Sequence, residues 1–187
     1  MRYSEILLTT DRLLLREFQK DDWKAVLAYQ SDPRFYRYYP WEKRTEGDAR
    51  KFVHAFIEWS RERPRMVYHL AIVLKSEDRL IGSCGIRIIN PEWKEGEFGC
   101  ELNPDDWGNG YAMEAAGAML AFGFEKLGMH RIWAQCIAEN ASMIRVLERI
   151  GMREEGLLRE QRWQKGRFWD MRLYATLDHE WEKRRGI

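Results

Sequence analysis

Gly108 and Gly110 stand one residue apart in Trp107-Gly108-Asn109-Gly110-Tyr111-Ala112, directly ahead of an apolar run from Met113 to Leu127. Glycines spaced this way let neighbouring backbone amides turn toward one spot, and a helix starting behind them adds partial positive charge there. The natural guest is an anion such as pyrophosphate. Upstream, a strand pattern carries Glu97 and Glu101. Strand, acidic side chain, glycine loop and helix together suggest a phosphate-bearing cofactor delivered next to a base. No Lys-Ser/Thr pair follows the glycines, which argues against a nucleotide hydrolase. Neither a Gly-x-Ser-x-Gly motif nor a cysteine placed for nucleophilic attack is present. His54, His69, His130 and His179 show no ligand spacing, so no metal site is expected.

These residues need elements to hold them. Leu13 to Leu15, followed by Arg16 and Phe18, reads as a first strand. Asp21 sits where an N-cap should, and Trp23, Val26 and Leu27 recur at helical spacing until Asp32-Pro33. A second helix is expected from near Thr45 to before Pro64, with Phe52, Ala55, Phe56 and Trp59 on one face. Met66–Leu74 and Leu80–Ile89 read as an antiparallel hairpin. In the strand Glu97–Asn103, Phe98, Cys100 and Leu102 fall on one face, and Glu97, Gly99, Glu101 and Asn103 on the other. The helix behind the glycine loop is apolar nearly all round, which predicts a buried helix, closed by Gly128. A strand over Arg131–Ile137, a helix over Asn140–Ile150, strands over Leu157–Trp163 and Phe168–Thr176, and a helical turn over Leu177–Arg185 complete the chain. The order predicts a mixed α/β (α+β) fold, a partly antiparallel sheet flanked by helices.

Length and composition set the frame. A chain of 187 residues is most simply one domain, 1–187, with a sizeable core. A net charge of +1 gives no global field to draw in nucleic acid or a membrane surface. No apolar run approaches the roughly 20 residues of a membrane span, and Met1 to Glu5 lacks the apolar region of a signal peptide. Cys84, Cys100 and Cys136 are odd in number, widely spaced and inside strand-like runs, which predicts buried free thiols. The expected location is the cytoplasm.

The order and motifs resemble the GNAT superfamily of acyl-CoA N-acyltransferases, and within it the Rim-type ribosomal-protein-alanine acetyltransferase branch. The resemblance runs from Thr10-Asp11-Arg12-Leu13 to Asp178-His179-Glu180-Trp181. Its carriers are Glu101-Leu102-Asn103-Pro104 leading into WGNGYAMEA, then Glu139-Asn140, RVLERIGM and Glu155-Gly156. It implies a GNAT-type fold with a central twisted sheet, and acetyl-CoA as co-substrate. Trp107 to Ala112 matches the family's pyrophosphate loop, with Trp107 in place of the usual Gln or Arg. The resemblance implies that the amides of Gly108, Gly110, Tyr111 and Ala112, with Asn109 between them, surround the pyrophosphate. It likewise implies that Leu102 and Asn103 pair by backbone with the pantetheine arm. Asn140 matches the family asparagine that contacts the cofactor beyond that arm, and is equally suited to capping a helix. Arg145 can meet the ribose phosphate or face solvent. Two positions depart from the family: Leu147 stands where many members carry a proton-donating tyrosine, and Met143 where the Rim branch often has serine. Ser142, one place early, is the candidate general acid beside a backbone amide or water.

Energetics set what catalysis must supply. A thiol of pKa ~8.5 lies only ~2 kcal/mol from thiolate at pH 7, so the leaving group needs modest help. An α-amine costs about 1 kcal/mol to deprotonate there, a lysine amine about 4.6. One carboxylate acting through water suffices for the former. Glu101 is the first candidate base and Glu97 the second; either is alternatively a solvated or ion-paired strand carboxylate. Positioning of amine and thioester, with a strand amide meeting the oxyanion, contributes most to the rate. Tyr36, Tyr38 and Trp41, in the aromatic stretch where this family usually builds its acceptor site, are the candidate substrate residues, with ordinary packing an equal alternative for the stretch. The expected reaction is acetyl transfer by direct attack of a primary amine, most simply a protein N-terminal α-amine. Small-molecule amines (a polyamine, an amino acid, an antibiotic) are the same-class alternative, and a non-catalytic acyl-CoA-binding sensor is the alternative outside it. Monomer and homodimer are both open.

Overall fold

The computed structural model describes residues 6–185, so the N-terminal expectation on Met1 to Glu5 lies outside the described residues. Eight strands and six α-helices are present among them, a mixed α/β fold whose strand pairs are mostly antiparallel. They divide into two compact units. One takes the chain up to Arg87 together with Gly99–Met119; the other takes Ile88–Phe98 and the chain from Leu120 onward.

The first unit opens with strands β1 (Leu7–Thr9) and β2 (Leu13–Arg16), an antiparallel pair where a single strand was expected over the second segment. Thr10 closes the turn, its amide donating to Leu13 O and its hydroxyl oxygen accepting from Leu13 N. Helix α1 (Trp23–Gln30) follows a short 3-10 turn, Lys20–Asp22, so Asp21 is not its N-cap. Asp22 is the working residue instead: its carboxylate accepts from Gln19 N and holds Arg16 by two hydrogen bonds of 2.8 and 2.9 Å. Pro33 does not simply end the helical stretch. It starts the short helix α2 (Pro33–Tyr36), capped by the Asp32 carboxylate, because proline suits a first helical position.

Helix α3 (Glu46–Arg61) begins as expected at Thr45, which forms a capping box with Asp48. Strands β3 (Val67–Leu74) and β4 (Arg79–Asn90) form the predicted antiparallel hairpin, and β2 pairs with β3. The core here contains Phe18, Val26, Tyr29, Phe35, Ala49, Val53, Ala71 and Leu80. Tyr36, Tyr39 and Trp41 pack against it, so the aromatic stretch is partly core.

Strand β5 (Glu95–Leu102) contributes to both units. In the second, its first residues run parallel to β6 (Arg131–Ile137), and β6 pairs antiparallel with β8 (Arg167–Leu177). Strand β7 (Arg153–Gln164) and β8 form the late hairpin around Lys165-Gly166, both of which adopt positive φ. In the first unit, the end of β5 lies close against β4: a Cβ added to Gly82 would fall 2.3 Å from Glu101 O. Only glycine permits that approach.

Helix α4 (Tyr111–Glu125) is walled in as its composition requires, with no residue exposed before Glu125. Gly128 follows it with φ +65°. Helices α5 (Ala141–Arg149) and α6 (Asp178–Arg185) belong to the second unit. Cys84 and Cys136 are buried and Cys100 partly so; all are free thiols. No helix among the described residues is long and apolar enough to cross a membrane.

Candidate active site

The glycine loop is a rigid object. Gly108 and Gly110 have φ +82° and +81°, the left-handed region that costs an L residue roughly 1–2 kcal/mol. Upstream, Asn103 caps the 3-10 turn Pro104–Asp106. The buried Asp106 carboxylate is gripped by Arg79 through two bonds of 2.9 Å and by Asn103 Nδ2 at 2.7 Å. Trp107 folds back so that its indole N–H donates to Leu102 O at 2.9 Å, and Asn109 Nδ2 donates to Asp106 O. Trp107 therefore ties the loop to the end of β5. Glu114 N is bonded to Gly110 O, so the amides of Tyr111, Ala112 and Met113 precede the helix's own ladder. They are the donors an anion can use.

Two expected backbone contacts start from groups already in use. Asn103 N donates to Ile81 O at 2.7 Å, and Asn103 O accepts from Asp106 N at 2.9 Å. The Leu102 carbonyl carries the Trp107 indole, with a second lone pair to offer.

Glu101 sits in a hydrogen-bonded cluster, not on a solvated face. Its Oε1 accepts from Tyr29 OH at 2.6 Å, Gln30 Nε2 at 3.1 Å and Ser83 Oγ at 3.1 Å. Ser83 Oγ is also 3.0 Å from His69 Nε2. With the Ser83 proton directed at Glu101, the tautomer that completes the chain has His69 Nε2–H donating to Ser83. Burial raises the Glu101 carboxyl above its ordinary range, against the three hydrogen bonds and the Arg44 charge, which favour the anion. Burial and the charge of Arg87 push His69 down to about 3, so it is neutral near pH 7. Tyr29 and Tyr39 are shifted upward by burial first and by the Glu101 charge next. A carboxylate in this setting has a proton affinity moved toward neutrality, as a general base requires. Among the described residues, Gln30 Oε1 and Trp41 Nε1 are buried polar atoms with no hydrogen-bond partner.

The candidate residues are distributed over both units. The first holds Glu101, Leu102, Asn103, Trp107 to Ala112, Tyr36, Tyr38 and Trp41. Tyr39 stacks on Phe35 and lies tilted against Trp41 with ring centres 4.4 Å apart, and Arg44 lies 3.9 Å over the Trp41 ring. The second holds Glu97, Asn140, Ser142 and Arg145. Glu97 is partly buried opposite Trp133 in the β5–β6 pair. Asn140 caps α5, its Oδ1 accepting from Met143 N at 3.2 Å. Ser142 and Arg145 are exposed on that helix, and Leu147 is buried. Arg167, at the start of β8, is paired with Glu139. No group of potential metal ligands exists among the described residues.

Sequence spacing missed Tyr29, Gln30 and Ser83, which reach Glu101 from α1 and β4, and His69 on β3, which reaches Ser83. It also missed Arg12 and Glu114, an ion pair spanning 102 residues of sequence. One signal was visible: Glu114 is an acidic residue in the first turn of an otherwise apolar helix.

A family model described as an acetyltransferase (GNAT) domain matches residues 12–153. The N-acetyltransferase YnaD of Bacillus subtilis is 38% identical over 174 residues, covering 93% of this chain and 98% of that protein. Among solved structures, a GNAT-family acetyltransferase from Bacillus anthracis superposes with a TM-score of 0.82 at 34% identity, covering 93% of this chain and 99% of its own. The ribosomal L7/L12 alpha-N-protein acetyltransferase RimL, solved with coenzyme A, shares the fold at 18% identity and TM-score 0.81, covering 92% and 99%.

Proposed function

Since the chain belongs to the GNAT acetyltransferase family and is an acetyl-transferring enzyme, we propose that it moves the acetyl group of acetyl-CoA to a protein N-terminal α-amine, as a Rim-type enzyme acting in the cytoplasm. The whole of 1–187 serves as one N-acetyltransferase domain in this reading. The observation that carries it is the sequence of strand end, glycine loop and helix start. Glu101 lies one residue before the Leu102 carbonyl that anchors Trp107, and two left-handed glycines then open onto the first amides of α4.

The residues present fit a diphosphate. Gly108 has nothing within 4 Å of where a Cβ would stand, and the α4 amides lie outside the helix's ladder. When bound, acetyl-CoA supplies an activated thioester. The chain's own work is to hold that donor by backbone amides, to orient the amine, and to take its proton at a Glu101 carboxylate oxygen, through water. Glu97 is the second candidate for that proton. Ser142 is the candidate donor to the departing thiol, because Leu147 has no proton it can donate, and Asn140 and Arg145 are proposed cofactor contacts. Tyr36, Tyr38 and Trp41 are proposed to line the acceptor site. An α-amine needs about 3.6 kcal/mol less than a lysine amine to become nucleophilic at pH 7, which suits a single carboxylate.

The test is acetyl-CoA turnover against peptides with free N-termini, spermidine and free amino acids, read by thiol release and product mass. Highest kcat/KM on peptide N-termini is expected. Preference for spermidine or an amino acid would move the enzyme to the small-amine class, and tight coenzyme A binding with no turnover on any amine would make it a sensor.

A further inference from the structure

The glycine loop is held from outside by residues at the other end of the sequence. Arg12, the last residue of the β1–β2 turn, spreads its guanidinium across three residues of the loop and helix. Its Nη1 donates to Asn109 O at 3.0 Å. Its Nε and Nη2 reach Glu114 Oε2 at 2.7 and 2.6 Å, and its plane lies 4.6 Å from the Tyr111 ring centre. Glu114 Oε1 is occupied as well, by Arg12 N at 2.9 Å and Thr10 Oγ1 at 2.6 Å. One carboxylate thus takes four donors, which hold it below the ordinary carboxyl range although desolvation opposes them.

We propose that Arg12 is a positioning residue for the donor: with Thr10 it locks Glu114, sets the loop 108–112 in its anion-binding shape, and cancels the carboxylate's charge beside the anion. This rests on the reading of the loop as the diphosphate site. The physical need is specific. A glutamate in a first helical turn suits the helix dipole but repels a second anion at the same end. Glu114 can stay there only if its charge is cancelled. Arg12 cancels it with two charge-assisted bonds and with its third nitrogen fixes the carbonyl between the two glycines. The half-exposed guanidinium is spent on Glu114 and Asn109, so the amides remain the groups that meet the anion.

The two jobs, shaping the loop and cancelling the charge, separate in a mutant set assayed with two donors. Acetyl-CoA carries the diphosphate; S-acetylpantetheine carries the same thioester without it. Arg12→Ala leaves the Glu114 charge bare, and the KM for acetyl-CoA should rise about 10- to 100-fold with kcat far less affected. Adding Glu114→Gln to Arg12→Ala should recover part of that loss, because the bare charge is gone while the loop stays loose. Arg12→Lys keeps the charge without the fork and should fall between wild type and Arg12→Ala. With S-acetylpantetheine, Arg12→Ala and wild type should run at similar rates, which also shows that the variant folds. Equal loss on both donors would overturn the positioning role, as would a double variant worse than Arg12→Ala. A wild-type enzyme with no preference for acetyl-CoA over S-acetylpantetheine would overturn the diphosphate reading, and the inference with it. If Arg12→Ala does not fold, the Arg12→Lys KM ratio between the two donors decides: a ratio equal to wild type overturns the role.

Discussion

The glycine loop and the Glu101 cluster lie in the same unit and on adjoining segments, yet they are built in opposite ways. The loop is stiff because its backbone is stiff: two left-handed glycines, a capped 3-10 turn and an indole tied to a carbonyl. Its charged side chains are spent on one another, leaving amides as the working groups. The Glu101 cluster is stiff because side chains from separate elements converge on one carboxylate, and the working group is itself a side chain. A backbone site tolerates changes that keep φ and loses function when φ is disturbed. A side-chain site responds to the loss of single atoms. Damage to the loop should therefore appear in donor affinity, and damage to the cluster in rate and pH dependence.

The largest expected effect is on the cluster. Glu101→Gln is nearly isosteric and keeps an acceptor for Tyr29, but it removes the proton site. The kcat should fall about 10²- to 10³-fold, the fall of rate on the acid side should disappear, and dependence on amine pKa should steepen. The KM for acetyl-CoA should hold. A pH–rate profile unchanged from wild type would leave Glu101 a structural carboxylate and move attention to Glu97.

Next comes the loop. Gly110→Ala places a Cβ at φ +81°, in ordinary contact with Arg12 Nη2 at 3.5 Å and Met113 Cε at 3.7 Å, so the cost is backbone strain. Gly108→Ala has the same strain in open space. Gly110→Ala and Gly108→Ala should each raise the KM for acetyl-CoA by about 10-fold, from a strain of roughly 1–2 kcal/mol. Neither should move the apparent pKa of the acid limb. If Gly110→Ala lowers kcat and leaves KM alone, the division between a donor loop and a base cluster fails.

These contrasts also explain what the sequence made legible. The loop could be read because its signal is local: two glycines, an apolar helix behind them and a strand ahead. Helix ends announced themselves similarly, through Thr45, Asn140 and Gly128. The parity of β5 put Glu101 opposite Phe98 and Leu102, but parity does not say whether the polar face meets water. Here Tyr29 and Gln30 cover it, and their positions in α1 carry no sign of that task. The same limit hid Arg12, whose partner is 102 residues away. Asp21 was misplaced as a cap because two adjacent aspartates offer the same signal, and Asp22 is the one that reaches both Arg16 and Gln19 N.

A smaller effect tests how the cluster tunes its carboxylate. Tyr29→Phe removes the 2.6 Å bond that favours the Glu101 anion and leaves the burial that disfavours it. The acid limb of the rate profile should therefore shift upward, by about 1 pH unit for a charged hydrogen bond. A downward shift would mean that water reaches Glu101 once the phenol is gone. The corresponding change at the loop, Trp107→Phe, removes the indole bond to Leu102 O and should alter acetyl-CoA KM without moving that limb.

The smallest effect lies at the far end of the same chain of bonds and concerns stability. His69 has a folded pKa of about 3 against an ordinary 6.5. Between those values the unfolded chain binds a proton that the folded one refuses. The stability linked to His69 is thus complete above pH 6.5 and drains away as pH falls toward 3. Glu101 has the opposite sign. Its folded pKa lies above the unfolded one, so protonation on acidification relieves a cost of burial and adds stability as pH falls through the raised value. The two groups, bridged by Ser83, therefore partly offset each other in mild acid. Urea unfolding at about pH 7 and about pH 4.5 should show His69→Gln losing about 2 kcal/mol less than wild type over that interval. Glu101→Gln should lose more than wild type, because the compensating proton is gone. Equal losses in all three proteins would mean that neither group is buried in solution as the fold places it, and the contrast between an open loop and a closed cluster would not stand.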